Sequence, residues 1–307
     1  MPDRTQLQVS DGVRLHVETS GPADASVTVV LLHGACLDLR TWHYQIEALL
    51  ARGDVRVIAY DARGHGRSGP TRLPAATLGR LGDDLAEVLR AYAGNGPVVL
   101  AGHSMGGMTI MEYADAHPAD FARRVAGLLF ASTTAEGTTH TRYGLPFPIA
   151  HAFRVAEETG AGLLARLGGW RPHQVMLPAL QPAVRWLLFG DEFLPGDLQI
   201  TMSAVGRASL RSIGGFRSSI GAQHRLDTLT SLGDVPSAVL VGDRDRLTPP
   251  ACAESIAEAL PGTELTVFPG AGHMLILERP AEVSAALAAI TDRANEDRRC
   301  EGYEQAA

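Results

Sequence analysis

The sequence predicts an α/β fold: a mostly parallel central sheet with helices on both faces and one inserted, mainly helical lid. Two observations carry that prediction. Uninterrupted aliphatic and β-branched runs, which suit strands covered on both faces, alternate at short intervals with stretches of helical periodicity. The alternation lapses over residues 135–225 and then resumes, as expected if one segment is inserted into an otherwise continuous sheet.

Residues 6–19 read as two short strands around the turn Ser10-Asp11-Gly12, with Val13, Leu15 and Val17 alternating as in a half-buried strand. Val27 to Leu32, VTVVLL, is a buried strand that stops at His33-Gly34, and helical spacing follows at Trp42, Ile46, Leu49 and Leu50. Val55 to Tyr60 is the next buried strand. A helix is predicted over Leu78 to Tyr92, with Leu81, Leu85, Val88 and Leu89 on one face. Pro97 to Ala101 reads as a strand, Met105 to Ala116 as a helix ending before Pro118, and Val125 to Ala131 as a strand. Residues 135–225 are rich in Gly, Pro and helix-like apolar pieces such as Gln181 to Phe189. The alternation returns with a strand at Val235 to Val241, a helix near Pro250 to Leu260, a strand at Glu264 to Phe268 and a helix at Ala281 to Thr291. The expected organisation is a core of residues 1–134 and 226–292, a helical cap of residues 135–225, and a charged, flexible tail of residues 293–307.

Composition narrows the chemistry. The chain has 307 residues, 45% of them apolar, which is enough to fill one large core or two small ones. Net charge is −7, so no basic field favours nucleic acid or anionic lipid. All 27 basic residues are arginine. Without lysine there is no Schiff-base chemistry, no Ser-Lys dyad and no GxxxxGK phosphate loop. Cys36, Cys252 and Cys300 lie far apart, an odd and sparse set that fits a reduced compartment. The opening MPDRTQLQVSDG lacks an apolar leader segment, and no stretch approaches the roughly 20 apolar residues that span a bilayer. A cytoplasmic protein with no integral membrane segment is the resulting expectation; a homodimer stays open.

Gly102-His103-Ser104-Met105-Gly106 fits G-x-S-x-G at a predicted strand-to-helix junction, with Gly107 following. Small flanks permit a cramped turn that lifts the Ser104 hydroxyl out of the sheet, and the Met105 N–H then faces the same point from a helix N-terminus. A serine hydroxyl needs a base, and the base needs an orienting acid. Of eleven histidines, His273 in PGAGHM occupies a glycine-rich loop after a strand and before the last helix. Loops at strand C-termini are where open α/β sheets assemble their sites. His16, His140, His151 and His173 have no such placement, and His117 reads as a helix-end residue.

The acid belongs between nucleophile and base in chain order. Asp243 and Asp245, in GDRDRLTP after the strand ending at Val241, both qualify on position; Asp245 is preferred, with Asp243 as a turn or capping residue. Thr133, after the preceding strand, is no carboxylate. The second oxyanion donor is expected from the loop after Leu31-Leu32-His33-Gly34, namely the Ala35 N–H. Adjacent Cys36 reads as a small buried thiol. Gly64-His65-Gly66-Arg67-Ser68-Gly69 fits G-x-G-x-x-G, but Pro70 and Pro74 follow where a dinucleotide site needs a helix, so it reads as a structural turn. No HExxH or paired-cysteine spacing suggests a metal, and no cofactor is expected.

Taken together, LLHGACLDLRTW (31–42), DARGHGRSG (61–69), GHSMGG (102–107), VGDRDRLTPP (241–250) and GAGHM (270–274) resemble the capped, single-domain α/β-hydrolase family over nearly the whole chain. The resemblance implies the α/β-hydrolase fold, with Ser104 as nucleophile, His273 as base, Asp245 as acid, and the Ala35 and Met105 N–H groups as oxyanion donors. Relatives with an aspartate nucleophile are disfavoured by Ser104, and carbon–carbon-bond hydrolases by the glycine-poor His33-Gly34-Ala35-Cys36. The expected activity is hydrolysis of a small or medium hydrophobic carboxylic ester through an acyl-enzyme, esterase- or lipase-like. The alternatives are perhydrolysis as in cofactor-free haloperoxidases, acyl transfer to an alcohol, and a slow-turnover ligand-binding receptor. Trp170, Trp186, Phe147, Phe153, Phe189, Phe193 and the leucines of the insertion are expected to pack on the body, with some lining an acyl or aromatic pocket. The insertion carries nine arginines against six acidic residues, a bias that hints at an anionic substrate.

Overall fold

A computed structural model of the chain describes residues 2–168 and 173–304. Eight strands form one sheet: β1 (Asp3–Gln8), β2 (Arg14–Ser20), β3 (Val27–Leu32), β4 (Val55–Tyr60), β5 (Val98–His103), β6 (Val125–Ala131), β7 (Ser237–Gly242) and β8 (Glu264–Phe268). Their spatial order is β1-β2-β4-β3-β5-β6-β7-β8. The β1–β2 and β2–β4 pairs are antiparallel; the other pairs are parallel. Chain order reverses around β3, which lies between β4 and β5. That places the C-terminal ends of β3 and β5 side by side, with Leu32 opposite Gly102, at the kind of switch point where open α/β sheets bind ligands.

The helices are α1 (His43–Arg52), α2 (Leu78–Tyr92), α3 (Met105–Ala116), α4 (Pro118–Arg124), α5 (Phe147–Arg166), α6 (His173–Leu188), α7 (Pro195–Arg207), α8 (Leu210–Gly215), α9 (Arg217–Ala222), α10 (Leu226–Thr230), α11 (Pro250–Ala259), α12 (Leu275–Glu278) and α13 (Pro280–Glu304). Side chains alternate across a strand, and here the alternation feeds two cores. Val30 and Leu32 of β3, Ile58 of β4, Leu100 of β5 and Phe130 of β6 meet Leu85 and Leu89 of α2, Ile110 of α3 and Ile256 of α11. Val29 and Leu31 of β3, Val57 of β4, Val99 of β5 and Leu129 of β6 meet Leu49 of α1 and Val283, Leu287 and Ile290 of α13. Every residue of β3, β5 and β7 is buried. Fully burying a Val or Leu contributes about 1.5–3 kcal/mol, so these central strands, covered on both faces, anchor the sheet.

The strands agree with their sequence-based bounds to within two residues at either end, except β1, which starts at Asp3, three residues before the expected residue 6. Three short helices, α4, α10 and α12, were not predicted: four to seven residues give less than two turns, too little periodicity to register. The last helix starts one residue before Ala281 and runs to Glu304, well past Thr291 and through the charged segment expected to be flexible. Within residues 135–225 the described residues form helices α5 to α9 and no strand. Among the described residues, no helix is long and apolar enough to cross a membrane. Cys36 and Cys252 are free thiols.

The GHGRSG segment is a turn, and it is held by charge. Arg63, just before it, has no exposed side-chain surface, and its guanidinium forks onto Asp84 of α2 at 2.6 and 2.7 Å. A third bond, 2.7 Å, reaches Asp11 in the β1–β2 turn, and these hydrogen bonds hold the Asp11 carboxyl at about 2. Three segments distant in sequence are thereby joined. Removing one partner of a buried pair is costly, and Arg80, 3.2 Å from Asp84, compensates that carboxylate only in part, so Arg63→Met should lower unfolding stability by about 3–5 kcal/mol in denaturant titration. The double variant Arg63→Met/Asp84→Leu should recover much of that loss. A single variant within 1 kcal/mol of the parent would refute this account.

Candidate active site

At the end of β5 the backbone turns sharply into α3. Ser104 sits in that turn at φ 51°, ψ −119°, a conformation that side-chain-bearing residues rarely adopt and that costs of order 1–3 kcal/mol. Its surroundings hold it there. The Ser104 N–H donates to the Ala131 carbonyl at 3.0 Å, and the Ser104 carbonyl accepts from Gly107 N–H at 2.9 Å and Thr133 Oγ1 at 2.7 Å. Glycine is required where the turn is closest. A Cβ on Gly102 would lie 2.6 Å from the Gly106 carbonyl carbon, and one on Gly106 would lie 2.7 Å from the Leu32 carbonyl carbon. Thr133, the non-carboxylate at the end of β6, thus serves as a brace for the serine turn.

The loop after β3 packs against the same point. His33 Nε2 accepts from the Ala62 N–H at 2.9 Å, which fixes the tautomer, so Nδ1–H donates to the Gly34 carbonyl at 2.8 Å. A Cβ on Gly34 would come within 3.1 Å of Ser104 Cβ. Ala35 and Cys36 follow, Cys36 at φ 60°. Met105 N–H lies in the first turn of α3, where a helix leaves its donors without an intrahelical acceptor. Burial pushes the Cys36 thiol up to about 12, so it is neutral at ordinary pH.

After β7, Asp245 is buried and densely bonded. Its Oδ1 accepts from the N–H groups of Leu247 (2.9 Å) and Thr248 (2.8 Å), and its Oδ2 accepts from Thr248 Oγ1 (2.8 Å) and from His273 Nδ1 (2.9 Å). Burial pushes its carboxyl up, but the neighbouring His273 and these donors outweigh it and hold the group below its ordinary value. An ionised Asp245 can only accept, so the proton sits on His273 Nδ1 and Nε2 keeps its lone pair. Asp243, the other carboxylate that qualified on position, accepts from the Gly270 N–H at 2.8 Å and shapes the histidine loop from outside.

His103, the variable residue of the serine motif, was not singled out from the sequence. It is fully buried, and its Nε2–H donates to the His273 carbonyl at 2.8 Å. Burial, and then the nearby His273, push it down to about 3, so it is a neutral donor at working pH. Nothing in a five-letter motif distinguishes this histidine from any other filler at that position.

Ser104, His273, Ala35 and Met105 line one cavity of about 350 Å³ between the sheet and the helical insertion. The structure therefore brings four of the five sequence-predicted residues to one surface, with Asp245 bonded behind His273. Val184 and Leu187 of α6, Ile213 of α8 and Ile220 of α9 close the far side together with Phe216. Of the expected aromatics, Phe147, Trp186, Phe189 and Phe193 do not line it. Phe147 is 63% and Trp186 48% exposed, and Trp186 stacks under the Arg246 guanidinium at 4.7 Å. Phe189 packs on Phe193 at 5.0 Å. Trp170 and the side chain of Phe153 lie outside the described residues. The α6 part of the wall is aliphatic because that helix turns Val184 and Leu187 inward and leaves Trp186 outside. The insertion's positive charge reaches the cavity at Arg217, which donates to the buried Tyr143 hydroxyl at 2.8 Å.

Comparison with known proteins agrees with this architecture. A candidate carbamate hydrolase, RutD, of Variovorax paradoxus (strain S110) is 29% identical over 261 residues, 84% of this chain and 89% of that protein. A non-heme haloperoxidase of Rhodococcus erythropolis is 27% identical over 286 residues, 92% of this chain and 97% of the other. A thermophilic esterase from Thermogutta terrifontis superposes with a TM-score of 0.75 at 24% identity, covering 95% of this chain and 99% of that one, a likeness of fold. The model of the alpha/beta hydrolase family matches residues 29–286. With that match over most of its length, on an eight-stranded sheet of the expected topology, the chain belongs to the alpha/beta hydrolase family.

Proposed function

We propose that the protein is a serine hydrolase that cleaves a carboxylic ester of a small or medium hydrophobic substrate through an acyl-enzyme. One observation carries the reading: the strained Ser104 shares a largely apolar cavity with His273, whose far nitrogen is bonded to the buried Asp245. In the proposed reaction the Ser104 hydroxyl attacks the acyl carbon and its proton passes to His273 Nε2. Asp245 stabilises the imidazolium that forms. Negative charge on the former carbonyl oxygen is received by the N–H groups of Met105 and Ala35. The alcohol leaves with the proton from His273, and water repeats the two steps to release the acid. Residues 135–225 act as the lid over residues 1–134 and 226–292, and their largely apolar wall selects the acyl or alcohol group by shape.

Peroxide in place of water gives a peracid through the same acyl-enzyme. The 27% likeness to a non-heme haloperoxidase over 92% of the chain favours keeping this second reading. The acceptor is decided after the acyl-enzyme forms, by what reaches it.

Ser104→Ala should reduce nitrophenyl-ester hydrolysis by at least about 10³-fold, and Asp245→Asn by about 10⁴-fold, with the fold unchanged by circular dichroism. A fluorophosphonate probe should label the parent at Ser104. Parent-like rates in Ser104→Ala would end the hydrolase reading. Competition between water and hydrogen peroxide in one assay, reading acid against peracid, separates the two acceptors. Ile213→Trp, which fills the cavity wall, should lower kcat/KM for bulky acyl esters about 10-fold or more relative to acetyl esters. An unchanged ratio would place the acyl group elsewhere.

A further inference from the structure

The loop that carries His273 is fastened to the lid as well as to the sheet. Gly272 N–H donates to both carboxylate oxygens of Glu278 at 3.0 Å each. Gly190, just after α6, donates its N–H to Glu278 Oε2 at 2.7 Å. One buried carboxylate, 7% exposed, is therefore shared by the residue before His273 and by the lid. Two backbone bonds flank it: Asp191 N–H to the Gly270 carbonyl at 2.8 Å, and Met274 N–H to the Leu188 carbonyl at 3.0 Å.

The two segments touch main chain to main chain. A Cβ on Gly190 would lie 2.7 Å from the Gly272 nitrogen, and a Cβ on Gly272 would lie 2.6 Å from the Phe189 carbonyl carbon. Only glycine at both positions allows this approach. On the opposite side, His103 Nε2–H holds the His273 carbonyl, and Arg279 donates to the Pro269 carbonyl at 2.8 Å. Burial pushes the Glu278 carboxyl up to about 7, against the pull of the Gly272 and Gly190 N–H groups. A carboxylate is costly in such a place unless its acceptors are used, and these are spent on the histidine loop and the lid end.

We propose that Glu278 is a positioning residue: by accepting from Gly272 and Gly190 together it sets the height of His273 over Ser104 and locks the Leu188–Asp191 end of the lid to the histidine loop. The inference rests on the serine-hydrolase reading for its kinetic consequence, and on the hydrogen bonds alone for its structural one. Any opening of the lid then pivots on this end rather than separating it, and a displaced Leu188–Asp191 segment carries His273 with it. Misplacing a reacting group by about 1 Å costs about 10²-fold in rate.

Glu278→Gln keeps the size but replaces one acceptor oxygen by an NH₂ group that cannot receive an N–H. It should lower kcat on a nitrophenyl ester 10- to 100-fold with KM within threefold. The rate of fluorophosphonate labelling at Ser104 should fall in proportion, and Glu278→Asp should restore part of it. In proton NMR, the low-field His273 Nδ1–H resonance from its bond to Asp245 should broaden or shift in Glu278→Gln. Should that variant not fold, Gly190→Ala, which leaves the carboxylate and forces the lid end off the loop, carries the same expectations. If kcat per folded molecule stays within twofold and the resonance is unmoved while only Tm falls, Glu278 is a structural residue and the proposal is overturned. If the parent itself hydrolyses no ester, the hydrolase reading fails, and the NMR comparison still decides the positioning of His273.

Discussion

A carboxylate cut off from water must find donors, and much of this site follows from how Asp245 finds four. Two come from the backbone of its own loop, one from the Thr248 hydroxyl and one from His273 across the gap to the next strand's loop. The last bond fixes the histidine tautomer, directing one nitrogen to the acid and leaving the other with a lone pair. Replace the acid by a neutral group and the imidazole loses both its orientation and the charge that would stabilise its protonated form. The bond also fastens the β8 loop to the β7 loop, on one edge of a parallel sheet.

The serine turn is the second constraint, and the price of its strained backbone is met by packing. Gly102, Gly106 and Gly107 let β5, α3 and the neighbouring loops approach to distances that any Cβ would forbid. Thr133 and Ala131 then hold the turn by hydrogen bonds from the adjacent strand. The strained φ of Ser104 persists because β3 and β6, on either side of β5, leave it no alternative. Two buried histidines complete the frame, His33 supporting the loop after β3 and His103 holding the carbonyl of His273.

The insertion is bound to this frame at its inner end and more open at its outer one. Leu188 to Asp191 are hydrogen-bonded to the histidine loop. Phe147, Leu163, Val175 and Trp186 on α5 and α6 are exposed, although they are large and apolar. The insertion is thus a wall whose inner surface is largely apolar, and its Arg217, which lines the cavity, is bonded to Tyr143.

Much of this was legible in the sequence. The strand runs, the helices over Leu78–Tyr92 and Met105–Ala116, and the residues of the serine turn follow from local rules: side-chain period, β-branching, and glycine where a turn is tight. Asp243 and Asp245 both qualify on position in the sequence, with Asp245 preferred and Asp243 as a turn or capping residue; in the structure Asp245 bonds to the imidazole while Asp243 bonds to a backbone amide. Local pattern could not reach His103, His33 or Glu278, nor decide which residues of the insertion face inward. Those roles depend on groups 29 to 170 residues apart in the chain being within hydrogen-bond distance. A sequence records the period of each segment and the type of each side chain, so it determined the sheet, its order of elements and the chemistry available. Which buried polar group meets which, and which face of α6 closes the cavity, was decided only when the packed backbone set the distances.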